Sequence, residues 1–352
     1  MKNVSLVKRG LSAGVLAIAC MAVHAEQVPD TLQQQAVDSR LASKSMLAGL
    51  DYAGDRIVAV GIKGHILLSD DHGDTWRQAS HVPVTVTLTD VCFNSAAEGW
   101  AVGHRGAILK SVDGGEEWTL QYDGFSAAKE LLSTLENAGS ENAFYGEMMV
   151  EDGADKPFLN ITCLGDQKAV AVGAYGWGFS TEDGGENWHP SAELFDGTQQ
   201  MHVYAADKAG DRLYLAGERG LLFAMRPDLT GYEQLASPYD GTYFGIIGAP
   251  DGKVLAYGLR GNAFASVDGG ATWNASTIDS NQNLTAGLVL RDGGYLLVDN
   301  AGRGWKSPDG ASFERVAADH AFPLTDLLEL QDGDVLATGA GGFARFDSGQ
   351  FK

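Results

Sequence analysis

Five times along the chain a hydroxyl residue stands two positions before an aspartate and six or seven before an aromatic ring. The phrases are Ser69-Asp-Asp71-His-Gly73-Asp-Thr-Trp76, Ser111-Val-Asp113-Gly-Gly115-Glu-Glu-Trp118, Thr181-Glu-Asp183-Gly-Gly185-Glu-Asn-Trp188, Ser266-Val-Asp268-Gly-Gly270-Ala-Thr-Trp273 and Ser307-Pro-Asp309-Gly310-Ala-Ser-Phe313. Carboxylates beside hydroxyls could act as general acids or bases. The glycines point elsewhere. They supply the positive φ of a tight hairpin, the aspartate caps turn N–H groups, and the aromatic residue closes the hairpin. These acids are read as structural. Other reactive groups are sparse. The eight histidines fall singly, with His65, His104 and His202 read as structural. No Cys-x-x-Cys or His-x-x-x-His pairing supports zinc, and no nucleophile elbow, His-Glu-x-x-His or phosphate loop occurs. No cofactor is expected.

The elements that carry these hairpins repeat. Val-Gly61-Ile-Lys63-Gly64 returns as Val-Gly103-His-Arg105-Gly106, Val-Gly173-Ala-Tyr175-Gly176, Ala-Gly217-Glu-Arg219-Gly220 and Tyr-Gly258-Leu-Arg260-Gly261. Barer copies follow at Asp299-Asn-Ala301-Gly302 and Gly339-Ala-Gly341-Gly342. The spacings are 42, 70, 44, 41, 41 and 40 residues, so seven units of about 41 carry one insertion. Repetition also explains the glycine content, 46 in 352 residues where about 25 are usual. Each unit reads as four short strands, the signature of a propeller blade. The expected fold is all-β, a seven-bladed β-propeller over 46–352 with a helical insertion at about 124–156. The last unit is short of sequence, and a strand within Thr31–Ser45 is expected to complete its sheet and close the ring.

Residues 1–25 read as a cleaved signal peptide: basic to Arg9, apolar over Leu11–Val23, then Val23-His24-Ala25 before Glu26. Leu16-Ala-Ile-Ala-Cys20 faintly suggests a lipoprotein signal, with its leucine one position too far from the cysteine. Segment 26–45 leads into the propeller. A periplasmic location is expected, with no direct membrane insertion. Removing Lys2, Lys8 and Arg9 takes the net charge from −21 to −24, which argues against nucleic acid as a partner. Cys92 and Cys163 remain, in the same part of neighbouring repeats. Two buried free thiols are expected, and a disulfide is the alternative.

The hairpin phrase matches the Asp-box, or BNR repeat. Combined with the Gly-x-[Arg/Lys]-Gly phrase and a signal peptide, the chain resembles the photosystem II stability/assembly factor family over roughly 46–352. That resemblance implies a non-enzymatic propeller that helps assemble membrane complexes. The non-photosynthetic branch, which this chain resembles more, implies an RND-type exporter or its accessory proteins as partner. The alternative class is an Asp-box glycosidase, sialidase-like. It lacks support, because no Phe-Arg-Ile-Pro phrase occurs and Phe346 follows Arg345.

The middle positions of the first phrase lie on the face where blades are linked. Lys63, Arg105, Arg219 and Arg260 form a cationic rim there, with Tyr175 and Trp177 between. The insertion emerges on the same face. Ser126 is expected to cap a helix ending near Ala138-Gly139, followed by a second helix over Glu141–Val150. Leu132, Phe144 and Met148 are its expected partner-binding anchors.

Overall fold

In the computed structural model, which describes residues 30–226 and 231–351, alternation along the repeats becomes seven sheets in a ring, antiparallel but for one added strand. The signal peptide, Cys20 and residues 26–29 lie outside the described residues. Blade 1 shows the plan. Its inner strand Leu47–Ala53 pairs with Arg56–Gly61, then Ile66–Ser69, then a short outer strand Arg77–Gln78. Second strands such as Ile57-Val58-Ala59-Val60 are apolar on both sides because both faces pack against neighbouring blades.

The seven-sheet ring holds as expected, with two departures from four strands per blade. Blade 6 has five: Thr277–Ile278, in the link from blade 5, adds in parallel outside Ser312–Asp319. Blade 7 has three, Leu324–Glu329, Val335–Gly339 and Gly342–Phe346. The strand expected within Thr31–Ser45 does not form. Hydrogen bonds to residues about 40 positions on divert that segment to blade 1, where the Ala36 N–H donates to the Val82 carbonyl at 2.9 Å and the Ser39 N–H to Gln78 Oε1 at 2.5 Å. Leu32 is buried with Val82, Val84 and Val86.

Closure is made at the inner strands instead. The Leu50 N–H of blade 1 donates to Asp326 Oδ2 of blade 7 at 2.9 Å, and Thr325 Oγ1 donates to the Leu47 carbonyl at 2.8 Å. The same device recurs round the ring. Asp51 accepts from the Phe93 N–H, Asp90 from Ile161, Asn160 from Ala206 and Asp207 from Gly248, all at 2.8–2.9 Å. Asp90, Asn160 and Asp326 are the third residues of their strands, and Asp51 and Asp207 the fifth. Two tiers of side-chain staples thus join five of the seven blade junctions.

The insertion forms α1 (Gly124–Ala138) and α2 (Ala143–Asp152). Asp123 caps α1, not Ser126: the Ser126 N–H donates to Asp123 Oδ1 at 2.9 Å. Sequence reading placed the start late because both residue types cap well. The stop is as expected, with Gly139 left-handed at φ 65°. A further short helix, α3 (Ala192–Thr198), lies outside the insertion, where no helix was expected. Cys92 and Cys163 are joined by a disulfide with Cα atoms 5.7 Å apart. The expectation of free thiols is corrected: neighbouring inner strands bring the two side chains together across one blade junction.

Candidate functional site

Five of the seven turns between second and third strands place a non-glycine residue in the left-handed region: Lys63, Arg105, Tyr175, Arg219 and Arg260, with φ of 53–61°. That conformation costs about 1–2 kcal/mol for an L-residue, and the next residue must be glycine. A Cβ on Gly64 would lie 2.1 Å from the Val84 carbonyl oxygen, and one on Gly220 2.0 Å from that of Tyr239. Both carbonyls belong to blade links, so turns and links share one face.

The cations do not all behave alike. Arg105 is half-buried, 3.5 Å from Asp30 and 5.9 Å over the Phe125 ring, so it ties the N-terminal segment and α1 to blade 2. Lys63, Arg219 and Arg260 are exposed and have no ion pair among the described residues. Glu218, the nearest acid in sequence to Arg219, is taken by His202: its Oε2 accepts from the His202 N–H at 2.9 Å and lies 3.2 Å from Nδ1. Tyr175 is exposed, with Lys156 Nζ 5.1 Å from its ring and His202 4.9 Å away.

Trp177 does not belong to this surface. It is fully buried between Phe158 and Phe179, its indole N–H directed at Met149 Sδ at 3.2 Å. The residue after the turn glycine points into the blade, so strand alternation decided its fate.

The insertion is half packed and half free. Leu131, Leu135 and Met149 join the core around Trp177, Trp188 and Phe195, and Ser140 and Asn142 hold Asp196 of α3. Leu132 is partly covered. Phe144 is 62% and Met148 43% exposed, with the Tyr145 ring beside that of Phe144, and Phe125 of α1 is exposed as well.

The Asp-box residues sit in hairpins. Asp71 accepts from the Thr75 hydroxyl at Oδ2 (2.5 Å) and, at Oδ1, from the Thr75 N–H and Ser69 Oγ, each at 2.8 Å; these bonds, the Thr75 hydroxyl foremost, hold its carboxyl down to about 2. Asp113, Asp183, Asp268 and Asp309 cap likewise. Trp118, Trp188 and Phe313 are buried, and Trp76 and Trp273 partly so.

Sequence reading missed the channel. The inner strands enclose a cavity of about 390 Å³ lined by Asp51, Asp90, Asp207 and Asp326 with Asn160 and Tyr257. The available signal was a polar residue recurring within otherwise apolar strands. Burial raises Asp51 and Asp207 to about 6, against the pull of the backbone N–H groups they accept from. Burial also raises Asp90 and Asp326, and the neighbouring carboxylates add to the rise. Because folded values exceed unfolded ones, the contribution to stability is full below about pH 4 and is lost as pH rises through about 6–7. Thermal stability is therefore expected to increase from pH 8 to pH 5, and Asp51→Asn/Asp207→Asn should flatten that slope. A slope unchanged in the double variant would refute the assignment.

The description of the family model matching residues 75–150 is "Photosynthesis system II assembly factor YCF48". The chain is 26% identical over 172 residues to the photosystem II assembly protein Ycf48 of Synechococcus sp. (strain JA-2-3B'a(2-13)), covering 44% of this chain and 50% of that one. It is 24% identical over 360 residues to the chloroplastic photosystem II stability/assembly factor HCF136 of Cyanidioschyzon merolae (strain NIES-3377 / 10D), covering 92% and 75%. The solved structure of YCF48 bound to D1 peptide superposes with TM-score 0.65 at 15% identity, over 89% of this chain and 95% of that one. The chain resembles photosystem II assembly factors in sequence and shares the β-propeller fold of the solved YCF48 structures. A second solved structure, YCF48 from Cyanidioschyzon merolae, gives the same TM-score at 17% identity, over 86% of this propeller and 96% of the other. The propeller spans about half the length of the Synechococcus relative. The structural likeness, at these identities, speaks for the fold.

Proposed function

We propose that this propeller is a non-catalytic periplasmic scaffold that binds a membrane protein complex during assembly, through the face carrying the left-handed turns and the insertion. The observation that carries the reading is convergence: three cations without ion pairs among the described residues and the exposed rings of the helical hairpin share one face of a chain that is otherwise strongly acidic. Rigid propeller loops are where binding resides. The cations would set association rate and salt sensitivity, and Phe144 and Met148 most of the affinity. Names of the relatives support an assembly role. The Cys92–Cys163 disulfide supports an oxidising compartment and, with it, export and cleavage after Ala25. An RND-type exporter is the finer proposal for the partner.

The test compares Lys63→Glu/Arg219→Glu/Arg260→Glu with Phe144→Ser/Met148→Ser, each checked for an intact fold. Deleting α1 and α2 would be a poorer test, since it strips Leu131, Leu135 and Met149 from the core. Recovery of the membrane complex with the propeller is expected to fall at least about tenfold in each variant, and the charge variant should also lose its salt dependence. Unchanged recovery in both would remove this face from consideration.

A further inference from the structure

In blades 1, 3, 4 and 5 one carbonyl of the third strand always receives the chain that follows the outer strand. Ile66, Gly178, Leu222 and Ala263 accept from the N–H groups of Ala79, Ser191, Leu235 and Ser276 at 2.9–3.0 Å. Each of those carbonyl residues faces the last-but-one residue of its second strand. In blade 7 that register belongs to Phe343, opposite Thr338. The two-residue turn Ala340-Gly341 makes Gly339 and Gly342 the closing hydrogen-bonded pair, so the backbone groups of Phe343 and Arg345 point outward. Among the described residues nothing bonds to them.

We infer that the open edge of blade 7 is a second binding site, which takes one extended segment of a partner protein as the missing fourth strand. This site is distinct from the turn-bearing face and stands whether or not that face binds. The slot is a notch about one strand, roughly 4.8 Å, deep. Blade 6 on one side is a strand wider than usual, and blade 1 on the other is wrapped by residues 30–45.

A recessed edge cannot meet the equally recessed edge of a second copy, which argues for a single extended chain. The protein's own described ends turn away. Asp30 reaches Arg105 on blade 2, and the turn over Ser348–Phe351 packs toward Ser312–Asp319, the fourth strand of blade 6. Arg345 is already matched by Asp74, Asp332 and Asp334, so recognition rests on backbone bonds and apolar contact. The apolar contact is at hand: Trp76 stacks on Phe343 at 3.9 Å, and Leu41, next to Ala42–Lys44 against this strand, is 67% exposed. The guest would be an alternating strand with an apolar residue over that stack.

The probe is a synthetic peptide copying residues 74–81, the native outer strand of blade 1, added to the full chain. Hydrogen exchange followed by mass spectrometry over 342–347 should slow by roughly tenfold or more. The same peptide N-methylated at the amides that face blade 7 should leave exchange unchanged. A chain extended past Lys352 by a flexible linker and this strand should protect 342–347 without peptide and no longer respond to it. The inference is overturned if millimolar peptide slows nothing, or if the N-methylated peptide protects equally. It is also overturned if 342–347 are already protected in the free chain, by residues 1–29 in a monomer or by a second copy in a dimer seen on sedimentation.

Discussion

Cys92→Ala/Cys163→Ala is expected to lower the unfolding free energy by about 4 kcal/mol. The bond closes a loop of 71 residues, and the chain-entropy account of a cross-link over that span gives about 4 kcal/mol. The size of the loop has a structural origin. Without the insertion the two strands would be separated by one ordinary repeat, and α1 and α2 lengthen the segment that must be ordered between them. Cys92 is buried and Cys163 partly so, both in the core that also holds Trp100, Phe158 and Ile161, so two small cavities add to the loss. Urea denaturation of the double variant, alongside wild type unfolded with and without reductant, measures it. A loss under about 1 kcal/mol would mean that the unfolded chain is already restricted at this junction.

Asp326→Ala should cost about 1–3 kcal/mol, because it leaves the Leu50 N–H buried without an acceptor. Among the described residues blade 7 has no fourth strand, so this staple and Thr325 join the inner strands across the junction that closes the ring, beside the Trp76–Phe343 stack and the Arg345–Asp74 pair. Asp326→Asn is expected to behave differently. An asparagine carbonyl can accept the same N–H, as Asn160 does from Ala206 in the same tier at another junction, and it carries no charge to desolvate. Burial holds the Asp326 carboxyl well above the usual range, so the amide should match wild type within about 1 kcal/mol at pH 5 and exceed it at pH 8. Equal losses for alanine and asparagine would show that the hydrogen bond is not what closes the ring. Denaturant midpoints at the two pH values decide between these outcomes.

Local chemistry explains how much of this protein was legible in its sequence. The Asp-box hairpins and the Gly-x-x-Gly turns are specified within a few residues: a capping acid, an obligatory positive φ and an aromatic plug. The turn phrase recurs seven times, in five full and two barer copies, about 41 residues apart once the insertion is set aside, and so determined blade number, blade order and the face on which the turns lie. The αL stop at Gly139 was legible for the same reason. What failed was long-range. The route of residues 30–45 depends on Val82 and Gln78, residues about 40 positions away, so a candidate closing strand could not be told from a wrap around blade 1. Trp177 looked like a surface aromatic because the turn was read without the strand that follows, whose alternation turns the ring inward. Cys92 and Cys163 needed the measured approach of two inner strands. The staples Asp51, Asp90, Asp207 and Asp326 were hidden most deeply. Each is an ordinary acid in its own strand and gains its meaning from an N–H on the next blade, in a channel that exists only once seven blades have closed and removed those carboxylates from water.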